Sequence, residues 1–165
     1  LPIRMPKTKM AEKVELERAV ALAVGKVGRS GGILIVRDSD YDCPAVLGPE
    51  LLRQATEIRG DMPIGVVLAK SEFESWFLAA AESIRGRRGL SDALTAPDDP
   101  EAIRGAKEWL SNHMERKYRE GLDQPAFATL FDLKAARRAD SFDKCYREID
   151  RLIRCLKERA WHDQS

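Results

Sequence analysis

Cysteine is scarce in this chain: Cys43, Cys145 and Cys155 are the only three in 165 residues. Scattered in this way they make neither a disulfide framework nor a zinc site, and a reduced, cytoplasmic protein is expected. Histidine is scarcer still. His113 and His162 stand isolated, and neither is assigned a role. No segment has the apolar length needed to cross a membrane and no signal peptide is visible, so no membrane partner is expected. A surplus of charge is also missing, because 28 Lys and Arg against 27 Asp and Glu leave a net +1. That balance argues neither for nor against a polyanionic partner, since a near-neutral total can hide local patches. There is no internal repeat and no low-complexity tract. The chain opens at Leu1 rather than at methionine, and its natural N-terminus is expected to lie outside it.

What is present suits one domain with a hydrophobic core, as the length and the 44% apolar share require. Leu1 to Met5 reads as a short strand or a tail. A helix is expected from about Ala11 to Val27, with Val14, Ala19, Leu22 and Ala23 near helical spacing. Ile33 to Val36 is a continuous apolar run of the kind that makes a strand buried on both faces. Pro49 is expected to open a helix carrying Leu51, Leu52, Ala55 and Ile58. Ile64 to Ala69 is a second strand, leading into Glu72-Phe73-Glu74-Ser75-Trp76-Phe77-Leu78. Such a βαβα order implies a parallel sheet. Arg85 to Pro97 reads as a mobile loop. Beyond it, Asp99 and Pro100 suit the start of a helix to about Tyr118. One or two short helices follow over Gln124 to Arg138. A final helix, capped by Asp140 or Ser141, carries the stripe Phe142, Cys145, Ile149, Leu152, Ile153 and Leu156. Two or three strands are few for a parallel sheet, so irregular strands or an absent leading strand are expected.

The most pointed feature follows the first strand. Asp38, Asp40 and Asp42 are spaced by two, and in extended backbone such residues share one side. Carboxylates gathered there repel unless a cation or basic groups neutralise them. Hard oxygen ligands suit Mg²⁺, Mn²⁺ or Ca²⁺. A calcium-binding EF-hand loop is excluded, because Cys43 and Pro49 occupy the places of its glycine and its glutamate. A haloacid-dehalogenase-type phosphatase would want threonine or valine where Asp42 stands. A polar loop whose aspartates cap turns is the plain alternative.

Glu72 and Glu74 fall just beyond the second strand, at the same sheet edge if the βαβα order holds. There they suit metal ligation or general-base work, or simply a favourable place at a helix N-terminus. Lys70 can stabilise a transition state at phosphorus or pair with a carboxylate. Trp76 and Phe77 read as core anchors. The arginines at 85, 87 and 88, at 137 and 138, and at 147, 151 and 154 read as solvated faces and loop ends.

At Ile33–Pro44, Val66–Leu78 and Gly105–Leu110 the chain resembles a bacterial family known as domain of unknown function 4276, which has a TOPRIM-like (topoisomerase–primase) core. Further similarity runs through Leu122-Asp123-Gln124-Pro125 and Ser141-Phe142. The resemblance implies Mg²⁺ held by an Asp-x-Asp pair, here Asp38 and Asp40, with Asp42 as an outer or second ligand. Glu72 and Glu74 match loosely the later acidic residues of related nucleases. The family's first glutamate lies in an N-terminal Val-Glu-Gly-like element, and none precedes Ile33. Glu12 or Glu15 would be its substitutes, both in an expected helix.

These observations lead to an α/β expectation: a small, mainly parallel TOPRIM-like sheet within residues 1–84, and a helical extension over 99–160. The expected activity is Mg²⁺-dependent phosphodiester hydrolysis on DNA or RNA. Asp38, Asp40 and Asp42 would be metal ligands, and Glu72, Glu74 and Lys70 catalytic groups. A nucleotide-sugar or phosphoryl-transfer enzyme and a non-catalytic interaction module are the other classes.

Overall fold

The computed structural model describes residues 3–4, 13–28 and 30–162. Most of Leu1–Met5, together with Ala11 and Glu12, lies outside the described residues. Helices α1 (Lys13–Val27) and α2 (Pro44–Ile58) alternate with strands β1 (Ile33–Asp38) and β2 (Ile64–Ala69). Short helices α3 (Ser75–Ala79), α4 (Ala81–Ile84), α5 (Ala106–Asn112), α6 (Glu120–Ala128) and α7 (Leu133–Ala136) follow, and α8 (Asp140–His162) ends the described chain. The protein is thus mixed α/β, with β1 and β2 forming a two-stranded sheet. The Ile33 N–H donates to Pro63 O and the Ser39 N–H to Ala69 O, each at 2.9 Å. Both pairs are offset by the same thirty positions, which makes the strands parallel. No described helix is long and apolar enough to cross a membrane.

The chain folds as two compact units, each made of separate stretches. One takes the residues up to Arg37, then Asp42–Leu68, then those from Arg147. The other takes Asp38–Tyr41 and Ala69–Tyr146. The first unit has a core of Leu16, Val20, Ile33, Ile35, Leu51, Ala55, Ile64, Val66 and Leu68. All six residues of β2 are buried, whereas in β1 Ile33 and Ile35 are buried and Val36 is exposed. The expectation of a β1 buried on both faces is therefore corrected. Only β2 has the double cover that a continuous apolar run implies. The later part of α8 approaches β2 at Gly65, where a Cβ would stand 2.7 Å from Glu148 Oε1. Arg151 anchors the contact by donating to Ile64 O at 2.7 Å and pairing with Glu148. A side chain at position 65 would force Glu148 to shift.

Helix α2 opens at Pro44, not at Pro49. Cys43 is its N-cap, with its carbonyl accepting from Val46 and Leu47, and Pro49 sits inside the helix. Pro44 has the fixed φ that suits a first helical turn. Pro49 is early enough in the helix to remove one hydrogen bond without ending it.

The second unit is built around Phe77, Leu78, Ala81, Ile84, Leu90, Leu94, Ala106, Leu110 and Phe127. Phe77 and Phe127 are fully buried, with ring centroids 5.8 Å apart in a T-shaped pair. Each such burial stabilises by roughly 1.5–3 kcal/mol. Residues 85–97 form no regular element, yet they are tied down. Leu90 and Leu94 enter the core, and Leu90 bridges to Met114. The helix expected from Asp99 to Tyr118 is also corrected. Asp99 caps a single turn, its Oδ1 accepting from Glu101 and Ala102 N–H. Gly105 then takes φ 77°, a left-handed conformation that interrupts helix and favours glycine. Only Ala106–Asn112 is helical. At the start of α8 the cap is neither Asp140 nor Ser141. The buried Glu101 carboxylate accepts from both of their N–H groups, each at 3.1 Å, a negative charge placed at a helix N-terminus. Within the α8 stripe Phe142, Cys145 and Leu152 are buried, while Ile149 and Ile153 are exposed.

Candidate functional site

The two strands deliver their ends side by side. Beyond the last ladder bond, the Asp40 N–H donates to Ser71 O at 3.0 Å, and the Ser71 N–H to Ser39 Oγ at 3.0 Å. Asp40 and Ser71 adopt φ 50° and 65°, uncommon for residues with a Cβ and often found where a site holds the chain in a strained turn. This geometry corrects the expectation for the aspartate triplet. Regular strand stops at Asp38, and the left-handed turn at Asp40 breaks the alternation that would put all three on one side. Asp42 groups with the other unit and is exposed, its Oδ2 3.4 Å from Arg37 Nη2. Asp38 and Asp40 remain together with residues 69–146.

Asp38 is half-buried and its Oδ1 accepts from Phe73 N–H at 2.7 Å. That bond ties β1 to the turn carrying the glutamates. Burial pushes the Asp38 carboxyl up, against the lowering effect of the Phe73 N–H and the Lys107 charge, and Glu72 and Glu120 push it further. Glu74 is fully buried. Its Oε1 accepts from Tyr118 Oη at 2.9 Å and Gln124 Nε2 at 3.2 Å, while its Oε2 has no hydrogen bond among the described residues. Burial raises the Glu74 carboxyl too, only partly opposed by Lys107 and Tyr118. A buried carboxylate oxygen without a donor is costly, which is why the protonated form gains ground.

Lys107, on α5, is the group that sequence reading missed. Its Nζ lies 3.2 Å from Glu120, 3.7 Å from Glu72 and 3.7 Å from Glu74. Burial alone would lower its pKa, but Glu74, Glu120 and Glu72 together raise it, so it stays an ammonium. One cation is thus shared among three glutamates, with Asp38 in their field. The only sequence signal was Gly105, whose turn starts α5 and so places Lys107.

Of the remaining expected site residues, Lys70 is exposed, and its backbone N–H donates to Ser141 Oγ at 3.2 Å. Its ammonium forms no ion pair among the described residues, which puts it outside the carboxylate cluster. Glu15 pairs with Arg18 on α1 at 2.6 Å, an exposed helix-surface contact. Asp40 and Glu72 meet again in a cleft of about 220 Å³, lined also by Tyr41, Ser71, Arg104 and Gly105.

Asp123 is the counterpart to this cluster. It too is fully buried, but Arg116 embraces it in a bidentate pair at 2.7 and 2.8 Å. Arg88 Nε adds a bond at 2.9 Å and the Arg119 N–H one at 2.8 Å. The Arg116 bonds, then Arg88 and the Arg119 N–H, overcome burial and hold its carboxyl far below the ordinary range. Arg88, expected on a solvated loop end, is therefore half of a structural ion-pair node.

Among the described residues, no group of three or more His, Cys, Asp and Glu side chains is arranged to hold a metal ion. The chemistry of the donors nevertheless fits a hard cation: all are carboxylates, they outnumber the nearby lysine, and one buried oxygen of Glu74 has no donor. Compared with known protein families, with curated proteins and with solved structures, the chain finds no match.

Proposed function

We propose that this protein is a TOPRIM-like hydrolase that cleaves phosphodiester bonds in nucleic acid with Mg²⁺ or Mn²⁺. The observation carrying this reading is Glu74: a fully buried carboxylate with one oxygen lacking a hydrogen bond among the described residues, in a cluster where acids outnumber Lys107. Asp38 and Asp40, at the end of β1, would hold the cation, with Glu72 beside them. When bound, the metal supplies an activated water and screens the phosphate charge. Glu74, with its raised pKa, is suited to hold or pass a proton, and Tyr118 and Gln124 fix its orientation. Lys107 keeps the carboxylates together before the cation arrives. Beside a bound cation Lys107 would offer its ammonium to a phosphate oxygen.

The test pairs Mn²⁺ calorimetry with a cleavage assay on single- and double-stranded DNA and RNA. Metal-dependent cleavage that Asp40→Asn abolishes is expected. Cleavage that survives in that variant, or a parent protein without metal-dependent binding and cleavage, overturns the reading. One observation favours a second reading, a non-catalytic module on the same scaffold: the carboxylates do not converge as a metal shell, and Lys107 already neutralises part of their charge. That module shows no thermal stabilisation by Mn²⁺ or Mg²⁺.

A further inference from the structure

Tyr41 is 91% exposed, so its ring contributes little to the core. It is nonetheless placed. The Arg104 guanidinium lies over it, Cζ 5.4 Å from the ring centroid, and both residues line the same cleft as Asp40, Ser71, Glu72 and Gly105. Arg104 forms no ion pair with a carboxylate among the described residues. Tyr41 follows the left-handed Asp40, whose N–H is fixed to Ser71 O, and Arg104 precedes the left-handed Gly105.

The lip and the floor of this cleft differ in chemistry. The lip offers a flat aromatic face and an unpaired guanidinium, whereas the floor offers the carboxylates of Asp40 and Glu72. A simple anion is repelled by the floor, and a simple cation by Arg104. A nucleotide answers both. Its base stacks on an aromatic face whatever its sequence. Its phosphate pairs with the planar guanidinium, and the divalent cation accompanying that phosphate meets the acidic floor. Bases within a duplex are already stacked on each other and present no free face, so the ligand is single-stranded. The cleft, about 220 Å³, is below the usual range for a drug-sized ligand, so it takes only the phosphate and its cation, while the base stacks outside on the exposed Tyr41 ring.

We propose that Tyr41 and Arg104 form a subsite that stacks and pairs one nucleotide of a single-stranded polynucleotide at the mouth of the acidic cleft. This rests on the hydrolase reading only in assigning the floor to a cation. The experiment is fluorescence anisotropy with labelled oligothymidylate and oligouridylate of about ten nucleotides, a length within the usual span of single-strand sites. It is run on the whole chain in Ca²⁺, beside Mn²⁺ calorimetry on the same variants. Tyr41→Ala is expected to weaken binding roughly 5- to 150-fold, the range for losing one stacked base, while Tyr41→Phe retains it. Arg104→Ala weakens binding and lowers the salt dependence by about one counterion. Mn²⁺ affinity is unchanged in all three variants, and circular dichroism matches the parent because both positions are peripheral to the core. Equal affinity for deoxy- and ribo-oligomers supports a subsite that reads base and phosphate. A strong preference for one of them also supports it, adding a contact to the sugar. Parent-like binding by Tyr41→Ala, or tighter binding of a duplex than of either single strand, overturns the proposal. Failure of the hydrolase reading shows separately, as absent Mn²⁺ binding in the parent with the Tyr41 dependence intact.

Discussion

Asp123 and Glu74 are both fully buried acids in the same compact unit, and they are treated in opposite ways. Asp123 receives two guanidinium groups and a backbone N–H, and its carboxyl is driven down. Glu74 receives a tyrosine, a glutamine and a share in one lysine at 3.7 Å, and its carboxyl is driven up. The first charge is matched so fully that it serves to fasten residues 88, 116, 119 and 123 together. The second is left short of partners. Burial alone does not decide which way a buried acid shifts; the supply of donors does.

The comparison breaks most visibly at Asp123. Asp123→Ala leaves Arg88 and Arg116 without their acceptor, and a loss of about 3 kcal/mol in urea unfolding is expected, the lower end for a broken buried pair because both arginines are partly exposed. A loss below about 1 kcal/mol would remove the structural role assigned to it. Next is Lys107→Met, which deletes the cation shared by Glu72, Glu74 and Glu120. We expect about 1–3 kcal/mol of destabilisation, greater at pH 8 than at pH 5, since acidification protonates Glu74, whose carboxyl burial pushes up. Equal losses at both pH values would show that the lysine acts through packing.

The smallest effect concerns Glu74→Gln. A carboxyl whose pKa is raised on folding makes the folded state take up protons, so stability falls as pH rises from the unfolded value of 4.5 through the folded one. The glutamine variant lacks that penalty, and its melting temperature should gain on the parent between pH 4 and pH 8. For a chain of this size each kcal/mol corresponds to about 2–4 °C. Asp123 has the opposite sign. Its contribution is present above 3.8 and is lost as pH falls through the depressed folded value, so Asp123→Asn should approach the parent only in strong acid. Melting curves of Glu74→Gln and parent that run parallel with pH would erase the contrast between the two acids.

Much of this contrast is invisible in the amino-acid order, for an identifiable reason. Apolar runs at Ile33–Val36 and Ile64–Ala69 announce two parallel strands, and the acids that follow them announce a charged edge. Both inferences use neighbours in sequence. Periodicity failed at Asp42, because the spacing argument assumes extended backbone and Asp40 turns left-handed. It also failed for the helix from Asp99, where Gly105 intervenes. Lys107 and Glu72 are 35 positions apart, as are Arg88 and Asp123. Nothing local to any of the four residues distinguishes a partnered charge from a solvated one.

The interleaving of the two units has a consequence for biosynthesis. A chain made from its N-terminus has every stretch of the Asp38–Tyr41 and Ala69–Tyr146 unit once position 146 has emerged, whereas the unit holding most of β1 and β2 still waits for the residues from Arg147 onward. The carboxylate cluster can therefore assemble on the ribosome while Gly65 and its strand still lack the segment bearing Glu148 and Arg151. No single cut in the gene separates the two units, and a stop codon near position 147 would spare the acids while stripping the sheet of its last support.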